Sequence, residues 1–296
     1  MNPLHPLILT FTLALLFTSQ AEQTPRQSMK QGLKNLQTGN HTNAINHLQK
    51  TLPTFPQLGA YNLGSAHFQN GDYEQAAQQF QEALRSQDLT LQANAYFNRG
   101  NALLAQTTTL TGLEQITTAI ALAFEALEHY QQAILLQPDA LDAKQNYERA
   151  ARLRLSLEFK RGKWSFDQAE SLLTQKKAKQ ARTHYQTAQQ QFTKILHEIQ
   201  PNHPESTQLL PRTQERLAML EQALADARAD LTQALRLIQD YQYALAANIL
   251  IHQSDQRDYA FDLDPQLKTR YDQTLQKNQQ VLDIVNQLLN QLNTAK

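Results

Sequence analysis

Residues 60–84, AYNLGSAHFQNGDYEQAAQQFQEAL, constrain the fold more than any other stretch. Ala60, Leu63, Gly64 and His67 recur at i, i+3, i+4 and i+7, the spacing that lines one side of an α-helix. Asn70-Gly71-Asp72 then interrupts the period with residues that favour turns. Tyr73, Ala76, Ala77, Phe80, Ala83 and Leu84 rebuild an apolar face on a second helix. Small residues at Gly64 and Ala76 let the two helices approach closely, and Tyr73 and Phe80 fill the space beside them. One such hairpin leaves a face uncovered, so the pattern calls for stacked copies.

Copies are present on both sides. Gly32 and Gly39 precede Gly64 and Gly71 by one repeat length, with Ala44 and Leu48 in the second-helix places and Pro56 at the end. Downstream, ANAYFNRGNALLAQ repeats the first helix with Tyr96, Gly100 and Leu103 in register, and Ala126, Tyr130 and Ala133 mark its partner, ending at Pro138. This third copy holds an additional segment, TTTLTGLEQITTAI, whose Leu113, Ile116 and Ile120 keep a helical period. The second helix is therefore expected to start early and project; a long tolerated loop is the alternative. Residues 139–163 read as a long helix sealing the third copy, with Gly162 as its stop.

The matching residues, Leu63, Gly64, Gly71-Asp72-Tyr73, Ala76, Phe80 and Ala83, resemble the tetratricopeptide repeat, a helix-turn-helix unit of about 34 residues. The resemblance implies an α-solenoid that binds other proteins. Composition agrees with an all-α fold: the only two valines are Val281 and Val285, glycine numbers 8, and Ala, Leu and Gln dominate.

The second half reads as eroded hairpins. Ala169, Leu172 and Leu173 face Ala181, Tyr185 and Ala188 across a Lys176-Lys177-Ala178-Lys179 turn. Pro201, Pro204 and Pro211 mark a connector before a long helix over 212–237. Gln239-Asp240-Tyr241 resembles another turn, Asp255 to Asp264 a non-helical bridge, and the last helix has Leu275, Leu282, Val285, Leu288, Leu289 and Leu292 as its apolar side. Residues 1–21 read as a secretory signal, with an apolar run from Leu7 to Phe17 and small residues at Ser19 and Ala21, which places the mature chain in the periplasm or outside the cell. An uncleaved membrane anchor is the alternative. The domains are then a signal at 1–21, a repeat domain with its capping helix at 22–151, and a helical domain at 152–296.

Acids and bases balance at 27 each, so bulk charge points to no nucleic-acid partner. The chain has no cysteine, which removes thiol chemistry, disulfides and a lipoprotein anchor. None of GxSxG, HExxH, a P-loop or GxGxxG occurs, and the histidines are scattered, so no catalytic group, cofactor, metal or small-molecule substrate is expected. The expected site is the inner curve formed by the first helices: Tyr61, Asn62, Ser65, Phe68 and Gln69 in one copy, Asn94, Phe97, Asn98, Asn101 and Leu104 in the next. Asn62 and Asn98 each sit two residues before the packing glycine, where tetratricopeptide repeats often place an asparagine that holds the backbone of an extended peptide. An amide donates and accepts at once, which suits that role. Between Lys144 and Arg182 the chain carries an excess of basic residues, which raises peripheral contact with an anionic membrane as a further possibility.

YFNRGNALL followed by EHYQQAILLQPDALDAKQNYERA also resembles repeat proteins of the bacterial aerotolerance (Bat) type. That resemblance implies an exported or membrane-attached scaffold working beside von Willebrand A-domain proteins and a MoxR-type ATPase. The expected function is a non-enzymatic scaffold that binds protein segments in the cell envelope. A lipid- or cell-wall-associated structural module is the alternative, and an enzyme with a helical superstructure the more distant one.

Overall fold

The computed structural model describes residues 24–110 and 112–294; the expected export signal lies outside them. The described residues form twelve α-helices and no strand. They are α1 (Pro25–Gln37), α2 (His41–Gln49), α3 (Pro56–Asn70), α4 (Tyr73–Ala83), α5 (Leu89–Thr107) and α6 (Ile116–Leu136). Then come α7 (Leu141–Thr174), α8 (Ala178–Lys194), α9 (Pro204–Gln239), α10 (Tyr243–Ile251), α11 (Asp255–Leu263) and α12 (Pro265–Thr294). The fold is an all-α helical solenoid.

Two compact units divide the chain, one ending at Arg154 and the other beginning at Leu155. The sequence reading places that boundary slightly earlier, after Ala151.

Within the first unit, one small residue on the first helix of each hairpin faces one large residue on the second. A Cβ at Gly32 would lie 2.6 Å from Leu48, at Gly64 2.9 Å from the Phe80 ring, and at Gly100 2.7 Å from the Tyr130 ring. These glycines are needed because the facing side chains already occupy the space, and Leu48, Phe80 and Tyr130 are almost fully buried. Gly32 and Leu48 have the same separation along the chain as Gly64 and Phe80. Gly100 and Tyr130 are further apart by the length of the additional segment.

That segment lengthens the hairpin. α5 runs on to Thr107, a short 3₁₀ turn covers Leu113–Gln115, and α6 starts at Ile116. The second helix does begin early. It does not project freely, because Ile116, Ala119 and Ile120 are buried.

The turns share one geometry whether or not they contain glycine. Gly39 and Gly71 have φ of 76° and 85°, seven residues after Gly32 and Gly64. Lys176 and Tyr241 adopt φ of 58° and 62°, seven residues after Ala169 and Ala234. In all four turns the next amide donates to a carbonyl five residues back: Asn40 to Asn35, Asp72 to His67, Lys177 to Leu172 and Gln242 to Leu237, at 2.8–2.9 Å. This bond satisfies a helix-terminal carbonyl, and it holds two side-chain-bearing residues in the left-handed region. Ala169 and Tyr185 share one core in the second unit, and Ala234 and Leu250 share another. Both pairs repeat the chain separation of Gly64 and Phe80.

Three expectations are corrected. Gly162 does not stop a helix: it lies inside α7, and a Cβ there would come 2.8 Å from Phe192, a fully buried ring. Pro211 is not connector but helix interior, because α9 already begins at Pro204 behind the His203 cap. Residues 255–263 are helical, capped by Ser254 accepting from the Arg257 amide.

Candidate functional site

The candidate site is assembled on α3, α5 and the start of α7. Residues spaced by four and then three fall on one face of each: 61, 65 and 68; 97, 101 and 104; 142, 146 and 149. Tyr61 is half-buried beside Phe80, with ring centroids 5.8 Å apart, and Phe97 packs 6.1 Å from Tyr130.

The asparagines form a chain rather than a free ladder. Asn98 Nδ2 donates to the Tyr61 hydroxyl at 2.9 Å, and Asn101 Nδ2 donates to Asn98 Oδ1 at 3.3 Å. Asn101 Oδ1 in turn accepts from the Tyr130 hydroxyl and from Asn146 Nδ2, both at 2.8 Å. Burial raises the pKa of both tyrosines, so their hydroxyls stay neutral. The network ties the second and third repeats to the start of α7 and presets the floor of the groove. Asn98 and Asn101 are partly committed to it, whereas Asn94 stands outside the chain of bonds.

Two cavities flank this network. One, of about 580 Å³, is floored by Phe68, Leu104 and Leu153 and rimmed by Asn101, Asn146 and Arg149. The other, of about 250 Å³, is lined by Asn94, Phe97, Gln137 and Asp142. Of the sequence-predicted residues, Phe68, Leu104 and Asn101 line the first and Asn94 and Phe97 the second. Tyr61 and Asn98 lie in the network, and Ser65 Oγ donates to the Tyr61 carbonyl at 3.0 Å. Asn62 is directed elsewhere, with Nδ2 3.2 Å from Met29 Sδ, and Gln69 is exposed.

Asp142, Asn146 and Arg149 are not singled out by the sequence. Their signal is the repeated four-then-three spacing. It is hidden by the additional segment of the third copy, which puts α7 out of register.

On other faces of α5 and α6, Arg99 binds Glu125 at 2.7 Å and also reaches His129, which stacks on Tyr96. Burial, reinforced by Arg99, holds the His129 imidazole down at about 4, and its Nδ1 is buried without a partner. The unfolded chain has an ordinary histidine near 6.5. Between pH 6.5 and about 4, therefore, the unfolded state binds a proton that the folded state refuses. This contribution to stability is complete above pH 6.5 and is lost as the pH falls towards 4, by on the order of 2 kcal/mol. His129→Gln is expected to flatten the decline of the melting temperature over that window. A profile parallel to the wild type would contradict the assignment.

Elsewhere the charged side chains are largely engaged in holding the fold. Asp262 accepts from the Lys179 amide at the start of α8, Asp264 pairs with Arg228, and Lys176 pairs with Asp255 and Asp258. In the basic region Lys163 and Arg182 are also ion-paired. Among the described residues no group of three or more His, Cys, Asp or Glu is placed to hold a metal ion. None of their helices is long and apolar enough to cross a membrane.

A tetratricopeptide-repeat family model matches residues 61–109, from the first groove tyrosine to the end of α5 and just past it. This stretch is a tetratricopeptide repeat. No curated protein matches the chain. Among solved structures it is similar to the TPR2AB-domain:pHSP90 complex of yeast Sti1, at 15% identity over 86% of this chain and 98% of that one, with a TM-score of 0.36. It is also similar to a TPR repeats protein from Bacteroides fragilis, at 16% identity over 85% and 98%, with a TM-score of 0.31. A repeat of this kind suggests a part in protein–protein interaction for this stretch.

Proposed function

We propose that the protein binds an extended segment of another protein along the face made by α3, α5 and the start of α7, and has no catalytic role of its own. The observation that carries this reading is the pair of open cavities on that face, separated by a prebuilt asparagine–tyrosine network that four helices share. Apolar floors offer anchoring for side chains, and the amides offer hydrogen bonds to a peptide backbone. A preset groove also spares a partner part of the ordering cost of binding.

The apolar run over Leu7 to Phe17 supports export, with a mature amino terminus near Glu22, and the Bat-type resemblance over 95–151 supports a place in a cell-envelope complex with a MoxR-type ATPase. Because Lys163, Lys176 and Arg182 already hold carboxylates, contact with an anionic membrane ranks below protein binding.

Ala105 lines the larger cavity and is only partly buried, so a bulky side chain there blocks the groove without entering the core. In pull-downs from envelope fractions, full-length Ala105→Trp is expected to lose at least ~90% of the partner captured by wild type, because about 1.4 kcal/mol is already tenfold in affinity. Its melting temperature should stay close to that of the wild type. Undiminished capture would move the binding surface elsewhere.

A further inference from the structure

The groove carries opposite charges at its two ends, and among the described residues neither is neutralised by an ion pair. Arg149 lines the larger cavity and Asp142 the smaller, both are exposed, and among the described residues neither makes an ion pair or a side-chain hydrogen bond. They contrast with Arg99, Lys163, Lys176, Arg182, Arg216 and Arg228, each of which holds a carboxylate. Asp142 and Arg149 are two helical turns apart on α7, so they share a face with an axial separation of about 10 Å. An extended chain advances about 3.3 Å per residue and covers that separation in about three residues.

We propose that the groove selects extended segments bearing an acidic side chain for Arg149 and, about three residues away, a basic one for Asp142. This rests on the groove reading above and adds the chemistry and polarity of its partner. Arg149 offers a planar fork suited to a carboxylate, next to the polar rim of Asn101 and Asn146. Asp142 takes a lysine or arginine at the other end, beside Asn94 and Gln137. Phe97 lines the smaller cavity beside Asp142 and stands against Tyr130, so the stem of that basic side chain lies along an apolar wall. Two opposite charges at fixed places also fix direction: a peptide laid in reverse puts like charges together, which costs affinity and rejects it.

A random dodecapeptide display library, selected on the full-length protein, tests this directly. Wild type should enrich acidic and basic residues about three positions apart in one order along the peptide. The doubly substituted Asp142→Lys/Arg149→Glu protein should enrich the opposite order, and synthetic peptides of each order should differ by at least tenfold in Kd, with the preference inverted between the two proteins. Ala105→Trp separates the two levels of the account. If peptides are recovered, are lost on Ala105→Trp, and show the same charge pattern on wild type and the charge-swapped protein, the polarity proposal is overturned while the groove stands. If wild type yields no peptides sensitive to Ala105→Trp, the groove reading fails and the proposal with it.

Discussion

Replacing Tyr130 with alanine is expected to destabilise the first unit by about 3–5 kcal/mol, the range for removing a fully buried aromatic side chain. The ring is 0% exposed, lies against the backbone of Gly100, and sends its hydroxyl to Asn101 Oδ1 at 2.8 Å. Its loss opens a cavity between α5 and α6 and unties the asparagine chain at once. The melting temperature should fall by on the order of 10 °C. Tyr130→Phe, which keeps the ring and loses only the hydrogen bond, should cost about 1 kcal/mol. A double-mutant cycle sharpens the test. Gly100→Ala places a Cβ 2.7 Å from the ring and should destabilise the wild type. In the Tyr130→Ala background the same change meets no ring and should stabilise, since alanine favours a helix over glycine by about 1 kcal/mol. Differential scanning calorimetry of the four proteins measures the coupling; additive effects would contradict the packing assigned here.

In the second unit, Arg257→Met is expected to have a large effect for a single charge removal. Arg257 is 7% exposed, donates to the carbonyls of Ile249 and His252 and to Asp230 Oδ2, and lies 5.1 Å from the Tyr271 ring centre. Its guanidinium therefore holds the end of α10, the start of α11, α9 and α12 together. Removing it strands two carbonyls and one carboxylate. Because Asp230 remains partly exposed and regains water, the expected cost is about 2–4 kcal/mol rather than that of a fully buried pair. Arg257→Lys should recover less than half, because an ammonium cannot span all three acceptors with a planar fork. Hydrogen exchange should show α10 and α11 losing protection first in both variants. Unchanged protection there would remove Arg257 from this role.

The hairpins are legible in the sequence wherever glycine carries the geometry. Gly64 and Gly71 record, in residue type alone, a close approach to Phe80 and a left-handed turn. Legibility falls where another residue adopts the same geometry. Lys176 and Tyr241 make the turn that Gly71 makes, held by the same backbone bond; the helical patterns on either side place both turns, whereas these residue types do not announce the left-handed conformation. Local rules also misread long-range effects. Gly162 looks like a helix stop because glycine is a poor helix former, yet it is there to admit Phe192, a residue of the following helix. Asp255–Leu263 looks like a bridge because its many charges leave a short apolar face, yet Lys176, Lys179 and Asp230 engage those charges from distant positions. On the groove face, Phe97 and Asn101 are readable from repeat spacing, whereas Asp142, Asn146 and Arg149 require knowing that α7 begins as a further first helix.

The most direct measurement of the central claim is a map of side-chain and backbone NMR shifts in the full-length protein on adding a peptide selected by wild type and lost on Ala105→Trp. Signals of Asn94, Phe97, Asn101 and Asn146 should move in proportion to occupancy, while Glu74, Gln78 and Gln81, on a separate face of α4, stay in place. Shifts confined to that other face, with the asparagine network undisturbed, would contradict it.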